Sequence, residues 1–251
     1  MIERAVERFR ADPEVEAVVV GGSVAHGLAR DDSDVDFLLV LDESALASRP
    51  ARAFADVELA DYEGGYADVK LVSRPFLAEV AERGAEPARW EFADSFVAWS
   101  RVDGVGAALA AASRYPEEER EAKIHDFAAH AVIGVWFLRE AQKRGNRYLA
   151  TYGASRTALW AGRAVLAHNR RLFPSHKWFL AELARCPEQP AGLLEAIDGL
   201  LAEPAPERGA ALVESVHDAV GVHPTIGDGA NAFLRRTEWS WRTGGAPFDE
   251  S

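Results

Sequence analysis

Between Val18 and Asp42 the chain reads VVVGGSVAHGLARDDSDVDFLLVLD. A Gly21-Gly22-Ser23 turn is followed, after a spacer of about ten residues, by Asp34 and Asp36 at the entrance of an apolar run. Carboxylates gathered there repel one another and lose hydration, so a solvated position, a basic partner or a metal ion must offset the cost. Along a strand, alternate side chains share a face, which puts Asp34 and Asp36 together while Val35, Phe37 and Leu39 point into the core. Two carboxylates on one face can grip a divalent cation, and hard oxygen ligands that leave room for water suit magnesium. Further on, in YADVKLVS, Tyr66, Asp68 and Lys70 share one face. If that strand lies beside the first, Asp68 brings a third carboxylate to the same ion or pair of ions, and Lys70 reads as its charge partner.

The glycines have a matching use. Gly21 and Gly22 carry no β-carbon, so phosphate oxygens can approach the backbone closely. The N–H groups of such a turn, and of a helix starting at Ser23–Gly27, favour anions, and the Ser23 hydroxyl adds a donor. A phosphate cradle beside carboxylate-held magnesium is what nucleotide chemistry needs.

Two textures divide the chain. Residues 1–114 read as mixed α/β, with a first helix over Ile2–Arg10 and strands in VEAVVVGGS and VDFLLVLD. ADVELADYE and YADVKLVS look like a hairpin closed by a tight Gly64-Gly65 turn. A helix in RPFLAEVAERG, a strand in SFVAWSRVD and a helix in GVGAALAAASRY follow. Residues 115–251 read as helical: two long amphipathic stretches run from Glu117 to Gly145 and from Ala150 to Phe173, then shorter helices around Lys177–Cys186, Gly192–Ala202 and Glu207–Val220. The fold class is α+β, a small mixed sheet followed by a helical bundle.

Composition narrows the function. With 251 residues the chain can bury two modest cores, and a net charge of −12 argues against a general nucleic-acid partner, whose phosphates need a basic face. A single cysteine, Cys186, excludes an internal disulfide and a cysteine-built zinc site and suits a reducing cytoplasm. No apolar run is long enough to cross a bilayer, and the start of the chain lacks a signal-peptide core. A cytoplasmic protein with no membrane partner is expected. His125 and His130 lie five apart, off the spacing of a helical metal pair, and Trp136, Trp160 and Trp178 fall on apolar helical stripes that suggest core positions. Glu91 and Asp94, in RWEFADS, read as helix-start or surface acids, with a second use as an alternative base. Arg171 and His176 have the Arg-x4-His spacing of a group of helical ribonucleases, but Pro174 breaks the helix that pattern requires.

GGSVAHGLARDDSDVD with the later ADVKLV resembles the signature of the DNA polymerase β-like nucleotidyltransferase superfamily: a Gly-Ser turn, a spacer, an Asp-x-Asp pair and a third acid on a later strand. The α/β part followed by a helical bundle is similar to the small-molecule branch, which includes aminoglycoside and lincosamide nucleotidyltransferases. That resemblance covers the first third of the chain through its motifs and the rest only in texture and in LFPSHKWFLAEL. It implies a catalytic domain over 1–114, with Gly22 and Ser23 on the β- and γ-phosphates and Asp34 and Asp36 on magnesium. Asp68 would share a metal or accept the proton of the attacking hydroxyl, and Lys177 would reach the triphosphate from the helical part. The implied activity moves a nucleoside monophosphate, AMP from ATP or another nucleoside triphosphate, to a hydroxyl of a small molecule, an antibiotic among the acceptors, using one or two Mg2+ ions. A protein AMP-transferring antitoxin and a non-catalytic nucleotide-binding protein stay open. The oligomeric state is not legible.

Overall fold

The computed structural model describes residues 1–60, 62–242 and 244, and the chain divides into two compact units, Met1–Tyr115 and Pro116–Ser251. In the first unit, α1 (Ile2–Arg10) leads into β1 (Val15–Gly21), a one-turn helix α2 (Gly22–Ala25) and β2 (Val35–Leu41). Then come α3 (Glu43–Ser48), β3 (Ala53–Asp56), β4 (Ala67–Ser73), α4 (Arg74–Arg83), α5 (Glu86–Phe92), β5 (Phe96–Ser100) and α6 (Val105–Ala112). Among the described residues the five strands form one sheet in the order β3-β4-β2-β1-β5. β1 pairs antiparallel with β2 and β5, β3 antiparallel with β4, and β2 runs parallel to β4.

Both faces of this sheet are covered. Val35, Phe37 and Leu39 of β2 pack with Ala5 and Phe9 of α1 and with Ala45 and Leu46 of α3. Leu38 and Val40, alternating with them, pack with Leu77 and Val80 of α4, Phe92 of α5 and Leu109 of α6. Asp36 precedes Leu38 by one pleat, so it opens the face covered by α4, α5 and α6. A β-strand buried on two sides explains why β1 and β2 read as nearly unbroken apolar runs.

The expected hairpin is corrected in one respect. Its antiparallel pairing exists, but the first strand lies earlier, at Ala53–Asp56, and is followed by a short 3-10 turn, Val57–Leu59, well before β4 begins. Asp56 stops the strand because its carboxylate accepts the Glu58 N–H and turns the chain. Gly64 does take a left-handed φ of 76°, but it does not join two paired strands directly. The sequence pattern assigns no range to the seven-residue helix α5, which has Pro87 in its first turn, and Glu91, a helix-start or surface acid by that pattern, lies in its last turn.

In the second unit α7 (Arg120–Arg144) and α8 (Arg147–His168) are followed by α9 (Phe179–Ala184), α10 (Leu193–Ala202), α11 (Pro206–Val220) and α12 (Ile226–Phe233). α7 and α8 approach closely where Gly134 meets Thr157 and Gly153 meets Leu138; a β-carbon on Gly134 would stand 2.3 Å from the Thr157 hydroxyl. Leu138, Leu166, Leu183, Ile197, Leu200 and Leu212 fill the core of this bundle. The tryptophans do not all serve it: Trp136 is 43% exposed, because its neighbours Val135 and Leu138 take the inward positions of α7. No helix among the described residues is long and apolar enough to cross a membrane.

Candidate metal and nucleotide site

The parallel register of β2 and β4 sets Asp36 directly opposite Asp68. Asp34 lies one pleat before Asp36, and one carboxylate oxygen from each of Asp34, Asp36 and Asp68 can be chosen so that all lie within 4.8 Å of one another. All three side chains are partly exposed, which leaves room for water or a ligand on the open side. This grouping of hard oxygens fits a divalent cation that keeps part of its water shell. Asp36 feels the crowding most. Burial pushes its carboxyl above the usual aspartate range, the Lys70 ammonium pulls it down, and the charges of Glu91, Asp34 and Asp68 push it up again, for a net rise. The Tyr66 hydroxyl at the mouth bonds to Asp34, and that carboxylate holds the phenol's pKa above its ordinary value.

β1 ends beside this cluster, with Gly21 in register with Asp36. Gly22 then turns with φ +60°, and a β-carbon there would fall 1.7 Å from Asp36 Oδ2. Glycine is required because the turn lies against the carboxylate itself, a closer constraint than room for phosphate. Ser23, the next residue, is buried, and its Oγ has no hydrogen-bond partner. A buried hydroxyl without a partner costs about 1–3 kcal/mol, so its presence beside a carboxylate cluster fits a group that a bound phosphate would satisfy.

Sequence reasoning underrated α5. Glu91 sits in its last turn and accepts a 2.6 Å hydrogen bond from Lys70 Nζ, which also stands 3.5 Å from Asp36 and 3.8 Å from Asp68. Burial works against the Lys70 charge, but the Glu91 hydrogen bond and the surrounding carboxylates outweigh it and raise its pKa. Trp90, beside Glu91, stacks on His26 at 3.8 Å between ring centroids, and Asp94 meets His26 Nδ1 at 3.1 Å. Asp94 has a left-handed φ of 58°. Glu91 is therefore not a plain surface acid, while Asp94 lies at the surface as expected and also meets His26. Their partners lie 21 and 68 residues away in the chain, beyond the reach of any local pattern.

In the second unit, Lys177 is exposed on the 3-10 turn His176–Trp178, with Nζ 4.8 Å from the Trp178 ring centroid. Arg171 forms a 2.6 Å ion pair with the buried Glu182, and His176 lies edge-on to Phe173, so the Arg-x4-His pair shares neither a helix nor a site. Around Trp160, which is half-buried, His130, Arg156, Arg163 and Lys123 line a cavity of about 580 Å³. Cys186 is buried, and desolvation pushes its thiol up to about 11.

Comparison with known proteins adds three findings. Residues 2–81 match the family described as nucleotidyltransferase domain. The solved structure of a nucleotidyltransferase-like protein from Exiguobacterium sibiricum aligns with 94% of this chain and 78% of its own, at 13% identity and a TM-score of 0.47. Among curated proteins, none matches the chain significantly.

Proposed function

We propose that this chain, whose residues 2–81 match the nucleotidyltransferase domain family, is a transferase that moves a nucleoside monophosphate, AMP from ATP, to a hydroxyl group of a small molecule. The observation that carries this reading is the meeting of Asp34, Asp36 and Asp68 within 4.8 Å, with the buried, unpartnered hydroxyl of Ser23 one residue beyond the glycine that lies against Asp36. Asp34 and Asp36 would hold Mg2+, with Asp68 sharing that ion or a second one. Magnesium bound there supplies charge neutralisation for the triphosphate and the departing pyrophosphate. Ser23 Oγ and the N–H groups of the Gly22-Ser23 turn donate to the β- and γ-phosphate oxygens. Asp68, partly exposed on the open side, accepts the proton of the acceptor hydroxyl as its oxygen attacks the α-phosphorus, or orients that hydroxyl. The net charge of −12 favours a cationic acceptor, an aminoglycoside-like antibiotic being the reference case, in a cytoplasmic setting.

The test is pyrophosphate release from ATP with a panel of hydroxyl-bearing acceptors, in magnesium and in chelator. Release that depends on both acceptor and metal, and that disappears in Asp34→Asn, is the expected result. Absence of release with every acceptor, together with ATP binding that ignores the metal, overturns the proposal.

A further inference from the structure

The three carboxylates share their pocket with a cation of the protein's own. Lys70 Nζ lies 3.5 Å from Asp36 Oδ1 and 3.8 Å from Asp68 Oδ2, yet its shortest contact, 2.6 Å, is to Glu91 Oε1. Lys70 stands one pleat beyond Asp68 on the same face of β4. α5, which carries Glu91, meets the segment after the glycine-serine turn through the Trp90–His26 stack, and Asp94 just beyond it contacts His26. Glu91 thus holds the ammonium close enough to offset the carboxylates but nearer to itself than to them.

We propose that Lys70 and Glu91 form an internal counter-charge device: Lys70 balances Asp36 and Asp68 when no metal is bound and weakens their hold on a divalent ion, while Glu91 keeps the ammonium back so that the ion can enter. This rests on the reading of Asp34, Asp36 and Asp68 as metal ligands. A full positive charge within 4 Å of two ligand carboxylates must repel an incoming dication, and the cost falls when the ammonium is drawn toward Glu91. Both residues are positioning residues in this scheme; neither touches the reacting atoms. Its signature is a pair of opposite effects from two partners of one ion pair. If the pair were only structural, breaking it from either side would loosen the cluster and weaken metal binding.

The experiment titrates Mn2+ alone, and Mg2+ alone, into the full chain by calorimetry, with no nucleotide present. Lys70→Met is expected to bind either ion about tenfold tighter than the wild type, and to melt lower in chelator but not with saturating metal. Lys70→Arg, which keeps the charge, is expected to stay near the wild-type affinity. Glu91→Gln releases the ammonium onto Asp36 and Asp68 and removes a nearby negative charge, so it is expected to bind the ions about tenfold more weakly. If Lys70→Met does not fold, the sign of Glu91→Gln and the affinity of Lys70→Arg still decide. Weaker or unchanged binding in Lys70→Met, unchanged binding in Glu91→Gln, or tenfold tighter binding in Lys70→Arg overturns the counter-charge device while leaving the metal site standing. A wild-type chain that binds neither ion removes the metal reading, and the device with it.

Discussion

Replacing Gly22 with alanine isolates a single methyl group at the centre of the site. Gly22 has φ +60°, and the new β-carbon would lie 1.7 Å from Asp36 Oδ2, 2.3 Å from its Cγ and 2.8 Å from its Cβ. Real contacts start near 3.0 Å, so the Asp36 carboxylate or the turn must move by more than an ångström. Left-handed backbone costs an L-residue about 1–2 kcal/mol, and forcing extra volume into a packed site costs about 1–3 kcal/mol more. Displacement of a metal-face carboxylate on that scale should lower turnover about 10²-fold, the usual penalty for a misplaced group at a reacting centre. Gly27 provides the control: it also has a left-handed φ, +65°, but nothing lies within 4 Å of its β-carbon position. Gly27→Ala should therefore lose about 1 kcal/mol of stability and keep its turnover. Pyrophosphate release and thermal melts on both variants measure the two effects. Wild-type turnover in Gly22→Ala, or an equal loss in Gly27→Ala, would refute the argument that the Asp36 contact is what requires glycine.

Asp68→Asn should retain most of the ATP affinity of the wild type while its turnover falls by at least ~10²-fold, measured by calorimetry and pyrophosphate release. Ser23→Ala removes a buried hydroxyl that has no partner, so melts without ligand should stay level or rise by up to about 1 kcal/mol of stability, whereas ATP affinity should drop. For Asp36 the folded pKa is raised, chiefly by burial, so the folded state binds the extra proton between the ordinary aspartate value of 3.8 and the raised one. Its contribution to stability is thus full below that window and is lost as pH rises through it. Melts in chelator should show Asp36→Asn gaining on the wild type as pH rises above about 4 and ahead of it at pH 7, and a constant difference would contradict this. Cys186, with its thiol pushed up to about 11 by burial, should resist thiol reagents at pH 8 in the native protein and react once guanidinium unfolds it.

Much of the first unit could be read locally. The alternation around Asp34 and Asp36, the apolar runs of β1 and β2, and the helices α1, α4 and α6 follow from side-chain period and terminal residues alone. The strand carrying Asp68 and Lys70 was legible for the same reason. Its partner β3 was misplaced because Gly64-Gly65 has the chemistry of a tight turn, and nothing local announces that Tyr62 lies between them and the strand with its hydroxyl bound to the Ser33 carbonyl. Trp136 was misread because α7 buries residues around much of its circumference, which blurs the stripe that would mark its exposed side.

The residue types and their spacing by themselves determined that a glycine turn, an Asp-x-Asp strand and a later aspartate belong to one chemistry, since strand alternation and the glycine conformation act within a few residues. Tertiary structure alone decided that β2 and β4 run parallel with Asp36 opposite Asp68, that Gly22 has to be glycine because Asp36 lies against it, and that Glu91 holds Lys70. Those contacts join residues between 14 and 32 positions apart, and their geometry is set by sheet register and by where α5 packs, quantities that no local run of side chains encodes.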